Sequence, residues 1–120
     1  MDELLDRAPC GFLVFTDDGR IAEANATLLD LLGYSREELC SLHIERILSL
    51  PGRILYQTQF FPLLKLQGKA EEIYLSLRSK TGEEHPVLVN AARREREGSI
   101  RNDCILVAMR QRNQYENEIL

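Results

Sequence analysis

Cys40 and His43 are the two residues whose types and spacing first suggest chemistry. They lie three residues apart in the stretch GYSREELCSLHIERIL, residues 33–48. A thiolate and an imidazole at this spacing could bind a metal ion, but a structural zinc site needs four ligands. The other cysteines, Cys10 and Cys104, each stand alone at the start of an apolar run. We therefore predict no metal site and expect all three cysteines to pack as small hydrophobic side chains.

Motifs of catalytic type are incomplete in this sequence. Lys80-Thr81-Gly82 matches one motif of penicillin-binding proteins, but the Ser-x-x-Lys that accompanies it there is absent. The pairs Glu71-Glu72 and Glu83-Glu84 lie in predicted strands, where adjacent side chains point to opposite faces and make poor acid–base pairs. The sequence also has no glycine-rich phosphate-binding motif. We predict that this domain is not an enzyme.

The composition indicates one ordinary globular domain. Of 120 residues, 44% are hydrophobic and 28% are charged, which is enough to bury a core without disulfides. The net charge of −4 argues against nucleic acid as a partner. No apolar run approaches the ~20 residues of a membrane span, and the N-terminus lacks the hydrophobic region of a signal peptide. Three cysteines without a CxxC fit free thiols, so we expect a cytoplasmic domain with no direct membrane contact.

The first part of the chain predicts a short helix and a hairpin. Residues 1–9 read as a flanking helix that ends at Pro9, because proline disfavours helical backbone at the residue before it. In GFLVFTDDGRIAEAN, residues 11–25, Asp17-Asp18-Gly19 supplies the turn of a hairpin. Residues 12–15 are all apolar, which indicates that this strand is covered on both faces.

The middle of the chain predicts several helices. Asn25 is a favoured N-cap, and Gly33 is a favoured residue after a helix end. Ser35 and Glu38 form the Ser-x-x-Glu pattern of a capping box. A helical turn through HIERIL should end at the SLPG sequence, and a longer helix should follow in RILYQTQFFPLLKLQG, residues 53–68. Pro62 lies inside that segment, so we expect a kink or a restart there.

The last part of the chain predicts three strands. EEIYLSLRS alternates between apolar and polar residues, and EEHPVLVNAARRE and CILVAMRQR follow as further strands. Between the last two, we expect EGSIRND to form a loop, and we expect residues 113–120 to start a linker helix. Helices between two runs of strands indicate an α+β fold, with an antiparallel sheet covered by helices on one face.

This order of elements and the run N-x₇-GYSREEL resemble those of a PAS domain. The strand with the Asp-Asp-Gly turn and the KTGEE hairpin, residues 80–84, also match that family, so we expect the PAS domain to span residues 10–112. The resemblance implies a five-stranded antiparallel sheet with strand order 2-1-5-4-3. It further implies a sensory or interaction module of bacterial signal transduction, with a C-terminal effector such as a histidine kinase, a diguanylate cyclase or a serine phosphatase.

The resemblance also allows the sequence to be checked for the residues that bind flavin or haem in other members of the family. In the light-sensing branch of the family, a cysteine that follows the GYSREEL-like run forms a bond with a flavin. When the two sequences are aligned, Ile44 occupies the position of that cysteine. Cys40 lies four residues too early, so we predict no covalent flavin. Haem-binding members usually carry the ligating histidine in the long helix, here residues 53–66, which contain no histidine. We therefore predict no haem and no other cofactor.

The space between the sheet and the helices is the default ligand site of such a fold. Core packing is the plainer alternative for every residue that could line it. Thr16 and Tyr56 are of special interest, since a polar tip in an apolar pocket can orient a ligand. The candidate pocket residues are Val14, Thr16, Leu28, Leu32, Ile47, Tyr56, Phe60, Leu75, Val89 and Val107.

The other face of the sheet should also be apolar, and something must cover it. We expect the leading helix or a second copy of the domain to do so, with Leu4, Leu5, Leu13 and Phe15 as candidate dimer residues. Two interpretations of function stay open at this point, and a third, a haem- or flavin-binding redox or light sensor, is disfavoured. The module either senses a small molecule between the sheet and the helices, or it is a ligand-free dimerisation scaffold.

Overall fold

The computed structural model describes residues 1–109, and the helix predicted at residues 113–120 lies outside them. Five strands form one sheet with the order β2-β1-β5-β4-β3, in which all neighbours are antiparallel. This order and the α+β architecture confirm the predicted fold. The strands are β1 Gly11–Thr16, β2 Ile21–Ala24, β3 Lys69–Arg78, β4 Glu84–Arg96 and β5 Ser99–Ala108.

The helices follow the first hairpin, apart from one short helix that precedes it. They are α1 Glu3–Asp6, α2 Ala26–Leu32, α3 Arg36–Leu39, α4 Leu50–Leu55 and α5 Phe61–Gln67. A 3₁₀ helix at Ile44–Ile47 precedes α4, and a π-helical turn at Tyr56–Phe60 joins α4 to α5.

The predicted caps are confirmed. The Asn25 side chain accepts a hydrogen bond from the Leu28 N–H, and Gly33 ends α2 in the left-handed conformation with φ of 77°. Both halves of the Ser35/Glu38 capping box are formed. Because these caps satisfy backbone groups that helix ends leave open, short helices of seven and four residues are well defined.

The helix before Pro62 begins earlier than predicted. Ser49 caps α4, and Pro51 lies in its first turn, where a missing N–H costs nothing. Interpreting SLPG only as a helix end was therefore wrong. The expected restart at Pro62 is confirmed, since α5 begins at Phe61 directly after the π-helical turn.

The loop predicted for EGSIRND is also wrong. Glu97 and Gly98 both have positive φ, 51° and 78°, and Arg96 pairs with Ser99. A two-residue turn with φ above zero at both positions matches the twist of a hairpin. β5 therefore begins at Ser99, five residues before the predicted start at Cys104.

Strand register decides which face of the sheet each residue occupies. Leu13 lies opposite Cys104 and Phe15 opposite Asn102, and these four face the helices. Directly opposed residues share one face of a sheet. Phe12 and Ile105 therefore lie on the other face, which we call the outer face.

Candidate functional site

An apolar cavity of about 20 Å³ lies between the sheet and the helices. A space of this size holds about one water-sized group, and an apolar one stays dry. Close packing of the sheet against the 3₁₀ helix, α4 and the π-helical turn thus leaves almost no room. The wall is formed by Leu13, Ile44, Ile47, Leu48, Tyr56, Phe60, Leu75, Leu77, Val89, Cys104 and Leu106.

Half of the predicted pocket residues line this cavity. They are Ile47, Tyr56, Phe60, Leu75 and Val89. Leu28 and Leu32 are fully buried but form the contact of α2 with the sheet rather than the cavity wall. Whether any of these residues binds a ligand stays a prediction.

Three predicted pocket residues lie elsewhere, and their assignment to the pocket was wrong. Val14 and Thr16 alternate with Leu13 and Phe15 along β1, so they occupy the outer face. Val107 is 42% exposed, while its neighbour Leu106 lines the cavity. Since apolar residues occur on both faces of β1 and β5, alternation in the sequence could not decide the facing.

The facing of β1 also shows that two predicted dimer residues were assigned to the wrong face. Leu13 and Phe15 are almost fully buried in the core, under the helices. Leu4 is 85% exposed on α1, and Leu5 is half-buried. Leu4 and Leu5 therefore remain accessible candidates, whereas Leu13 and Phe15 are core residues.

The leading helix α1 is tied to the junction of β2 and α2. The Asn25 side-chain amide donates to the carbonyls of Leu5 and Cys10, at 2.9 and 3.0 Å. The Asp6 carboxylate accepts from the Ala26 N–H and from Arg36. These bonds hold α1 at the end of β2. The leading helix therefore does not lie across the outer face, where it was one of the two expected covers.

Four aromatic rings form a cluster beside the cavity, and two of them, Tyr56 and Phe60, line it. Tyr56 stacks on Phe61 at 5.6 Å between ring centroids and meets Phe15 edge to face at 6.0 Å. Phe60 lies 6.1 Å from Tyr56. Burial, with a smaller effect of the Glu45 charge, raises the pKa of the Tyr56 phenol, which therefore stays neutral.

A polar cluster ties the β1–β2 turn to β4 and β5. Arg93 donates to both carboxylate oxygens of Asp17, and Asn102 donates to Asp17 and to the Phe15 carbonyl. Burial raises the pKa of the Asp17 carboxyl, but the hydrogen bonds from Arg93 and Asn102 and the Arg93 charge together lower it. Asp17 is thus held as a carboxylate.

The cysteines and His43, which first suggested chemistry, are placed separately. Burial raises the pKa of the Cys40 and Cys104 thiols, so both are held in the less reactive thiol form. His43 packs against Gly19, and its Nδ1 accepts from the Glu45 N–H as the cap of the 3₁₀ helix. Within residues 1–109, no three potential ligands lie close enough together to hold a metal ion.

Ile44 occupies the position that aligns with the flavin-bonding cysteine of the light-sensing branch. The Ile44 N–H donates to the Gly19 carbonyl at 2.7 Å, and its side chain lines the cavity. Ile44 was not among the predicted pocket residues, although it lines the cavity. The aliphatic side chain there cannot form a bond to a flavin.

The outer face is partly apolar and carries one incompletely paired carboxylate. Phe12, Leu88 and Ile105 are half-buried on it, next to the exposed Val107. Asp103 Oδ2 accepts from Arg94 Nε at 2.9 Å, while Asp103 Oδ1 is buried with no hydrogen-bond partner among the described residues. Such an atom is costly unless a donor reaches it.

The fold is an α+β domain with a five-stranded antiparallel sheet and helices on one face. Residues 9–110 match the PAS domain family, and the chain belongs to that family. The chain is 48% identical, over all of its 120 residues, to the phosphoserine phosphatase RsbP of Bacillus subtilis, and it spans 30% of that protein.

Solved structures show the same fold. A PAS domain from Colwellia psychrerythraea superposes with a TM-score of 0.81 at 16% identity, covering 92% of this chain and 94% of that one. A PAS domain from Desulfitobacterium hafniense gives 0.78 at 24% identity, covering 90% and 100%. In residues 1–109, no helix is long and apolar enough to cross a membrane.

Proposed function

We propose that this chain is a dimeric PAS interaction module that regulates an effector of the same protein without a ligand in its core. The observation that carries the proposal is the size of the core cavity, about 20 Å³. Ligand pockets usually measure about 300 Å³ or more. The filled core thus favours the scaffold interpretation over the sensor of an internal small molecule.

The outer face supports a second copy as the partner. Its apolar residues need a cover, and α1 is bonded to the far end of β2. Together these features favour pairing through the sheet.

The test of the dimer is Val107→Asp, which places a charge on the proposed interface. We expect the parent chain to sediment as a dimer in analytical ultracentrifugation and the variant as a folded monomer, because Val107 is already 42% exposed. Leu66→Asp is the matched control, since Leu66 is 84% exposed on α5, away from the sheet. A monomeric parent, or a dimeric Val107→Asp variant, would contradict the proposal.

The test of the empty core is native mass spectrometry of the purified chain. We expect masses of the polypeptide alone and no absorbance above the protein band. A stoichiometric bound molecule that Val89→Phe abolishes would instead support the small-molecule sensor, because Val89 lines the cavity and a larger side chain would fill it. Retention of that molecule by Val107→Asp would separate this result from the oligomeric state.

For the effector, we propose a phosphatase of the kind named in the relative RsbP. The chain would lie at the regulatory end of such a protein, in the cytoplasm, where its three free cysteines stay reduced. The experiment replaces the matching 30% of RsbP with this chain and measures phosphoserine phosphatase activity. We expect an active chimera whose activity changes with Val107→Asp and not with Leu66→Asp.

A further inference from the structure

A cleft of about 340 Å³ lies between the 3₁₀ helix, α4 and the β3–β4 turn. We call it the basic cleft. Its charged side chains are Arg46, Arg53, Arg78 and Lys80, and no acidic side chain is part of its lining. This local excess of cations contrasts with the net charge of −4 of the whole chain.

The guanidinium groups of the basic cleft lack carboxylate partners. Among residues 1–109, Arg46 and Arg78 take part in no ion pair or side-chain hydrogen bond. Arg53 donates through Nε to the Glu45 carbonyl at 2.9 Å, which leaves its terminal nitrogens available. Lys80 differs, because its Nζ pairs with Glu38. Three guanidinium groups are therefore open to an anion.

The cleft is built on a well-ordered turn. The Lys80 N–H donates to the Leu32 carbonyl, and the Gly82 N–H donates to the Ser79 carbonyl. The Glu83 N–H donates to Ser79 Oγ at 3.0 Å. Since these backbone donors are already used, an anion here would be bound by side chains, including the hydroxyl groups of Tyr34 and Thr81.

We propose that the basic cleft binds a small phosphorylated molecule with at least two negative charges. A planar guanidinium donates two parallel hydrogen bonds that match the oxygens of a phosphate, and such charge-assisted bonds are strong. Arg46, Arg53 and Arg78 come from three different elements, so one bound anion bridges the helices and the sheet. This site is separate from the core cavity and does not depend on whether the core is empty.

The test uses inorganic pyrophosphate as the probe, with the whole chain, in isothermal titration calorimetry. We expect saturable binding and a rise in melting temperature, because a ligand that binds only the folded state stabilises it. The variant Arg46→Gln/Arg78→Gln should bind at least about tenfold more weakly, since two charged hydrogen-bond donors are lost. Both side chains are exposed, so the variant should fold like the parent.

The matched control is Arg96→Gln/Arg101→Gln, which changes the net charge equally. These arginines line another cleft that also contains Glu23 and Glu97, so pyrophosphate affinity should stay at the parent value. Sodium chloride at matched ionic strength should produce no rise in melting temperature. Equal affinity of the two double variants, no pyrophosphate binding by the parent, or tighter binding of citrate would each overturn the proposal.

Discussion

Asn25 connects three parts of the molecule through one side chain. Its oxygen accepts from the Phe12 and Leu28 N–H groups, and its amide donates to two carbonyls of the N-terminal segment. The side chain is fully buried, so no water replaces a bond that is lost. The N-cap that the sequence indicated is therefore also the anchor of α1.

Replacing Asn25 by alanine should destabilise the fold strongly. Four hydrogen bonds are lost and their buried partners remain unsatisfied, so we expect a loss of about 2–4 kcal/mol in the free energy of unfolding. Urea denaturation followed by circular dichroism measures it. The control is Asn90→Ala, because Asn90 is exposed and its side chain accepts from the Glu72 N–H alone within residues 1–109. Equal losses of unfolding free energy in both variants would show that the buried hydrogen bonds of Asn25 stabilise the fold no more than one exposed hydrogen bond does.

Asp17 should make stability depend on pH in acid. Its pKa is lowered in the folded state, so the stabilisation is complete above the unfolded pKa and is lost as the pH falls through the folded pKa. Between about pH 5 and pH 2, the stability of Asp17→Asn should therefore fall less steeply than that of the parent. Asp30→Asn, which removes an exposed carboxylate of α2, should keep the parent slope in the same denaturation series.

At the scale of elements, the β4–β5 hairpin depends on its two-residue turn. Glu97 has φ of 51°, a left-handed conformation that asparagine adopts more readily than glutamate. The turn joins strands of 13 and 10 residues. The geometry of one short turn thus fixes the register of the central strand, β5, against its neighbour β4.

Glu97→Asn should stabilise the protein. We expect a gain of about 0.5–1 kcal/mol, because relieving an unfavourable backbone conformation has an effect of this size. Thermal unfolding by calorimetry provides the measurement. Glu95→Asn is the control, since residue 95 is in extended β4, where asparagine is disfavoured, and stability should not rise. A gain in both variants would point to charge removal rather than turn geometry.

Most elements could be predicted from the sequence because their signals are local. Asn25, Gly33 and the Ser35/Glu38 box each mark a helix end through one side chain or one glycine. The Glu97-Gly98 turn was not predicted because glutamate rarely adopts positive φ, so the sequence there was interpreted as a loop. The facing of β1 could not be predicted for another reason. Residues 12–15 are all apolar, so only the pairing with β5 shows which side chains point toward the helices.

In the whole molecule, the register of β1 separates the core from the outer face, which we propose as the dimer interface. Leu13 and Phe15 pack under the helices, while Phe12 and Val14 lie on the outer face. Substituting these two sets should therefore affect different properties. The inner set supports folding. On the outer face, Val14 is buried within the chain, whereas the half-buried Phe12 is accessible to a partner.

Phe15→Asp should leave the chain unfolded, in contrast to Val107→Asp. Phe15 is fully buried and contacts three other aromatic rings, so an unpaired carboxylate there is not tolerated. Far-ultraviolet circular dichroism should show loss of the folded spectrum for Phe15→Asp and its retention for Val107→Asp. A folded Phe15→Asp monomer would restore the sequence-based assignment of Phe15 to the dimer face.

The scarcity of empty space around Tyr56 should make the domain resistant to hydrostatic pressure. Pressure unfolds proteins largely by eliminating internal voids, and the volume decrease on unfolding scales with them. Because the cavity beside Tyr56 measures only about 20 Å³, we expect a decrease near the lower end of the usual range, about 20 mL/mol. Leu106→Ala would enlarge that void and make the domain more compressible, so tyrosine fluorescence should report unfolding at a lower pressure.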